Sequence, residues 1–182
     1  VALGGAMGAV SRHVVGGWVG GWLGTGLPWG TFAVNVVGSF ALGVIIELSA
    51  LAWSPSAEMR AFLTVGFLGG FTTFSTYTVD AQQLIADGRS GVAFAYLGGT
   101  LVTAVSATWA GVSLARAAAG PAQAIRDIKA LLETASFSDP DSQLDRERDA
   151  MARALGGAEA EEGIGAFLNK TRPDFAKLRG RK

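Results

Sequence analysis

Between Gly66 and Asp80 the chain reads GFLGGFTTFSTYTVD, the core of a run from Ala61 to Val79 that holds no charged residue. A run of that length is about enough to cross a bilayer as one helix. Gly69-Gly70, followed by Thr72, Thr73, Ser75 and Thr76, favours a local break in that helix. Non-helical backbone at membrane depth persists only where it is buried in protein or lines a cavity. The carbonyls so freed are hard oxygen ligands for a small cation, although a simple packing kink would leave the same pattern. Phe74 and Tyr77 lie three apart and so share one helix face. Such aromatics commonly pack, but ring edges carry partial positive charge. Beside amide and hydroxyl donors, those edges replace part of an anion's water shell without a full charge that would trap it.

Three more positions belong to this reading. Asn35, in FAVNVVGSF, is an amide in an apolar span that either bonds another helix or offers its NH2 to a pore. Arg12 is a charge within a span, where a cavity or partner is the functional reading and snorkelling to the interface the structural one. Tyr96, Thr100 and Thr103 recur at i, i+4 and i+7, with Ser106 nearby. Their hydroxyls form a polar track if they face the same crevice as Asn35, and are silent if they bond their own helix carbonyls.

The elements that must position these residues are legible in the charge distribution. Residues 1–120 hold eight of the 30 charged residues, and residues 121–182 hold the other 22, so the formal neutrality of the 182-residue chain averages two unlike halves. The first half reads as a membrane domain and the second as a helical soluble tail. Four apolar segments, Val1–Leu27, Thr31–Trp53, Ala61–Val79 and Ser90–Ala115, each approach the length of a spanning helix. The turns LPWG, SPSAE and DGR between them are short, which makes neighbours antiparallel. The first segment has no basic leader region and reads as structural rather than as a signal peptide. In the tail, Asp139-Pro140 predicts the start of a helix that runs to Gly156-Gly157.

Several classes are excluded. The absence of cysteine removes disulfides, thiolate metal sites and thiol nucleophiles, and one histidine cannot build a histidine metal cluster. Four basic residues face four acidic ones before residue 120, so nucleic-acid binding has no support there. The same balance leaves membrane orientation weakly specified.

Taken together and in order, GGAMGAVSRH, PWGTFAVNVVGSFALG and GFLGGFTTFSTYTVD resemble the Fluc family of fluoride channels over about residues 1–116. The resemblance implies an all-α membrane protein of four transmembrane helices, the third broken at Gly69-Gly70, assembled as a dual-topology, antiparallel homodimer in the cell membrane. It implies a passive fluoride channel that lowers cytoplasmic fluoride, with two pores around a structural sodium ion. Sodium would be held by the backbone carbonyls of Gly69 and Thr72. Asn35 would be the pore amide, Phe74 the first pore phenylalanine, Arg12 the vestibule cation, and Tyr96 and Thr100 part of the polar track. Tyr77 stands where the family commonly has a second phenylalanine, Ala104 where a serine continues the track, and Asp80 where glutamate is frequent.

The extension, residues 117–182, resembles at EEGIGAFLNKTRPDF the C-terminal helices of the crotonase superfamily. Nothing in the chain resembles an acyl-CoA pocket or oxyanion hole, so the reading is of a channel and not an enzyme. The competing transport class is a small ion-coupled exporter, for which Glu47 is the carboxylate available within a span.

Overall fold

The computed structural model describes residues 1–24, 26–51, 53–135 and 137–178, and among them every regular element is helical. The chain divides into two compact units, Val1–Ala115 and Arg116–Lys182.

The first unit opens with α1 (Ala2–Leu23) and α2 (Trp29–Leu51). The third segment follows in pieces: α3 (Ala57–Ala61), a π-helical stretch (Phe62–Leu68), α4 (Gly69–Phe71) and α5 (Phe74–Ala86). Helix α6 runs from Ser90 to Ala119. Two of these, α2 and α6, are long and apolar enough to cross a membrane. The third segment contains no single helix of that length because it is interrupted.

The interruption is not at Gly69-Gly70, as the sequence predicts, but at Thr72-Thr73. Gly69 keeps helical torsions, whereas Thr72 and Thr73 are extended, at φ −82°, ψ 160° and φ −151°, ψ 122°. Glycine permits a break without requiring one, and Gly70 serves close packing instead. A Cβ at Gly66 would come within 2.7 Å of Val1 O, one at Gly70 within 2.5 Å of Gly5 O, and one at Gly4 within 2.6 Å of Phe62 O. Backbone therefore lies on backbone where α1 meets the third segment. This is how helices associate when lipid offers no hydrophobic drive between them. Gly43 and Gly111 do the same for α2 and α6, each facing a carbonyl of the other helix.

Buried apolar side chains cluster where α5 meets α6. Ala81, Leu84, Ala93 and Tyr96 are buried together, with Phe32, Tyr77 and Leu97 against them. Much of the remaining apolar surface of this unit is exposed, including Met7, Val14, Trp18 and Trp22 on α1 and Leu101, Val105 and Trp109 on α6.

The second unit contains α7 (Ala122–Ala135), α8 (Pro140–Leu155), α9 (Ala158–Leu168) and a 3₁₀ turn at Phe175–Leu178. Helix α8 starts at the predicted place: Asp139 Oδ1 accepts from Ser142 N–H at 3.0 Å, Pro140 occupies the first turn, and Gly156 ends it. Helix α7 is capped from a distance. The Glu159 carboxylate accepts from Gln123 N–H at 2.8 and 3.0 Å and from Ala124 N–H at 3.1 Å. A carboxylate suits that end of a helix, where unpaired amides and the dipole are positive.

Candidate functional site

The break is held open by side chains that replace the helix's own amide partners. In an unbroken helix, Thr73 N–H would donate to the Gly69 carbonyl and Thr76 N–H to the Thr72 carbonyl. Here Thr73 N–H donates to Asn35 Oδ1 at 2.7 Å, and Thr76 N–H to Thr73 Oγ1 at 3.2 Å. Asn35 Nδ2–H donates in return to the Thr73 carbonyl at 3.0 Å. Asn35 thus reads the backbone of Thr73 as a strand neighbour would, with donor and acceptor both used, and one amide hydrogen is left over. The same exchange releases the carbonyls of Gly69 and Thr72 from the helical ladder.

Of the residues singled out in the sequence, Asn35, Phe74, Tyr77 and Thr100, together with Gly69 and Thr72, line one cleft of about 310 Å³. Its donors are uncharged. Thr100 is 4% exposed, and its Oγ1 is buried with no hydrogen-bond partner among the described residues. A buried hydroxyl in that state is costly unless something else accepts from it. Phe74 is 77% exposed and presents its ring at the mouth, with its centroid 5.6 Å from that of Tyr77. Ala104 lines the same cleft and offers no hydroxyl there.

Two predicted residues lie elsewhere. Arg12 lines a separate cleft of about 640 Å³ with His13, Asp80, Thr76 and the first-helix glycines Gly16, Gly17 and Gly20. Thr73 borders both clefts. Tyr96 lines neither. It is 5% exposed, its ring lies 5.4 Å from that of Tyr77, and its hydroxyl points to Asp80 Oδ2 at 3.4 Å. Glu47 borders neither cleft, although it lies on α2. Thr103 bonds its own helix at Gly99 O, 2.6 Å, the silent alternative for that member of the stripe.

The Tyr77 hydroxyl donates to the Leu97 carbonyl at 2.7 Å. Its proton is therefore committed to α6, and toward the cleft the residue presents an aromatic ring. Thr73 and Ser39 are the residues that sequence reasoning missed. Ser39 was within reach, since it follows Asn35 by four residues and so shares its face. Thr73 was visible only as one threonine among several, because its part depends on a contact 38 residues away.

Among the described residues, wholly helical structure with two candidate membrane helices, a broken third segment and a cleft lined by uncharged donors defines a small helical membrane protein. The family model of the CrcB-like proteins, described as Camphor Resistance (CrcB), matches residues 1–112. The chain belongs to that family. It is 47% identical over 116 residues to a protein of Agrobacterium fabrum, covering 64% of this chain and 93% of that one. It is 49% identical over 118 residues to one of Rhodospirillum centenum, covering 65% and 94%. A protein of Geotalea uraniireducens is 42% identical over 117 residues, covering 64% and 94%. All three relatives are named fluoride-specific ion channels.

Proposed function

We infer that this chain is a fluoride channel that lets the anion leave the cytoplasm passively, with its pore walls in the first unit. The observation that carries the reading is the cleft in which the spare Asn35 amide hydrogen, the unpartnered Thr100 hydroxyl and the Phe74 ring meet without a formal charge. Fluoride is small and strongly hydrated, so a path for it must replace water hydrogen bonds while binding weakly enough to release. Amide and hydroxyl protons and aromatic edges do this. A lysine or arginine in the same cleft would hold the ion too well.

The finer assembly is also proposed: four spans in the cell membrane, with the interrupted third segment as one of them, paired as an antiparallel homodimer of dual topology. Phe74 supports the pairing, because a ring 77% exposed beside a polar cleft is half of a pore wall. Sodium is proposed at the Gly69 and Thr72 carbonyls, both released from helical bonding. When bound there it would supply a fixed positive charge that pins the broken segment. Arg12 and Tyr96 would then act at the vestibule and behind the cleft, respectively. The tail is read as a helical appendage similar in sequence to crotonase C-terminal helices, without enzymatic activity.

The test is fluoride efflux from liposomes holding the purified full-length protein, with chloride in parallel and no gradient of any other ion. Fluoride should leave and chloride should stay. Glu47→Gln should leave the flux intact, whereas an ion-coupled exporter would stop. Asn35→Asp should abolish it, because a carboxylate repels the ion and sets an acceptor against the Thr73 carbonyl. Undiminished flux in that variant would remove Asn35 from the path.

A further inference from the structure

Helix α7 begins after only two residues, Gly120 and Pro121, beyond the end of α6. Two extended residues reach roughly 7 Å. Taking α6 as a membrane span, on which this inference rests, its 30 residues are about 45 Å long. The hydrocarbon core is about 30 Å thick, so α6 ends in the headgroup region and α7 starts there.

Helix α7 has two unlike sides. Asp127, Ala130, Leu131 and Thr134 border the groove shared with Arg146, Asp149 and Ala150 of α8. Ile125, Ile128 and Leu132 recur at i, i+3 and i+7 on a different side, and they are 43%, 57% and 68% exposed. The charges of the helix, Arg126, Asp127, Lys129 and Glu133, cancel. We propose that α7 is an interfacial anchor whose Ile125, Ile128 and Leu132 side seats in the bilayer surface from which α6 emerges. Two observations point to lipid: the short tether, and an apolar stripe that lies open at Ile128 and Leu132, while Ile125 at its start shares a pocket with Glu159 and Leu178. A second copy is the poorer occupant, since three side chains offer a patch of a few hundred Å², well short of the ~1,000 Å² that a stable protein interface needs. Cancelled charge makes the attachment apolar rather than electrostatic, so zwitterionic lipid suffices and salt has little effect.

The chain has no cysteine, so single-cysteine labels report cleanly. The full-length protein is reconstituted in phosphatidylcholine liposomes with an environment-sensitive fluorophore at Ile128→Cys or Leu132→Cys. Arg126→Cys and Glu133→Cys report the polar side, and Val105→Cys reports the span. Phosphatidylcholine with brominated tails should quench 128 and 132 several-fold more than 126 and 133, equally at 50 and 500 mM salt (about 14 and 4 Å of screening length). Quenching at 105 with 128 and 132 no different from 126 and 133 would overturn the anchor while leaving the span. Absence of quenching at 105 would overturn the span reading, and the anchor with it. Labels at 128 and 132 shielded from an aqueous quencher yet untouched by brominated lipid would show that protein covers the stripe, which also overturns the proposal.

Discussion

In Val1–Ala115 most of the bonds that join one segment to another are made by uncharged groups, whereas Arg116–Lys182 is joined mainly by carboxylates. Asn35 holds Thr73, Tyr77 holds the Leu97 carbonyl, and Thr108 Oγ1 holds the Ser39 carbonyl at 3.2 Å. Charge joins the scheme where Arg89 Nη2 donates to the Gly26 carbonyl at 2.7 Å and where the Tyr96 hydroxyl points to Asp80 Oδ2 at 3.4 Å. In the tail, Glu159 caps α7, Asp139 caps α8, and Glu162 accepts from Asp174 N–H at 2.8 Å and pairs with Lys177. Asn35, Glu159 and Asp139 satisfy backbone groups that helices leave open at their ends and breaks, while Tyr77 and Thr108 add a bond to carbonyls within a neighbouring helix. The difference between the units follows from the solvent each sequence suits. A charge withdrawn into an apolar medium is expensive, so amides and hydroxyls serve there, while a carboxylate in water strengthens a cap at little cost.

The largest effect should come from adding one carbon to the first unit. A Cβ at Gly8 would overlap the Phe67 carbonyl oxygen and lie 2.8 Å from Phe71 N, and backbone on both sides leaves little room to give. Gly8→Ala should cost about 3 kcal/mol or more, the upper end for overpacking. The expected readout is loss of the monodisperse peak in detergent size exclusion. Normal behaviour would show that α1 does not rest on backbone. Next comes Phe74→Ile, which keeps bulk and apolarity but removes the ring edge. Because Phe74 is mostly exposed, folding should be unchanged while fluoride efflux falls roughly tenfold, the scale of one aromatic contact. Equal flux would reduce Phe74 to packing.

How much of this was legible beforehand differs between the units for the same reason. The tail's α8 could be read residue by residue, because Asp139-Pro140 and Gly156 are local signals that act on their own helix. The two candidate membrane helices, α2 and α6, could be placed from apolar length alone. The break could be foreseen in kind and not in position, since what moves it from Gly69-Gly70 to Thr72-Thr73 is Asn35, on another helix. The cleft shares this limit. Asn35, Phe74, Tyr77 and Thr100 were found by type and spacing, but nothing local separates them from Arg12 and Tyr96, which the folded chain places outside that cleft.

Acid should separate the two units. In the folded tail, Asp139 titrates below its ordinary value of 3.8, held down by hydrogen bonds from Ser142. Glu162 titrates below its ordinary 4.5 through the Asp174 backbone N–H and then Lys177. With folded values depressed, the unfolded tail takes up protons first. The stability these groups contribute is complete above the ordinary values and is lost as pH falls through the lower folded ones. Amide exchange of the full chain should therefore show protection of α8 and α9 weakening as pH falls below the ordinary carboxylate values, while the α2 amides around Asn35 stay protected. Loss of both together would mean that the two units do not differ in this way.

The smallest expected effect tests the comparison most finely, because Tyr77 brings a hydroxyl into the unit whose joining bonds are mostly uncharged. Where the resemblance leads one to expect phenylalanine, its extra oxygen looks like one more donor for the ion. The geometry assigns that proton to Leu97 O instead, at 2.7 Å, and leaves the ring 5.6 Å from Phe74 as phenylalanine would be. Tyr77→Phe should then change stability by about 1 kcal/mol, the net worth of one hydrogen bond, and leave fluoride efflux and its preference over chloride as they are. The Leu97 carbonyl keeps a second lone pair for its own helix, so nothing buried is wholly unpaired after the change. If the variant instead kept its stability and lost selectivity, the hydroxyl would belong to the ion's path. Tyr77 would then join Asn35 and Thr100 as a donor, and the distinction between bonds that hold the helices and bonds offered to the ion would fail at this residue.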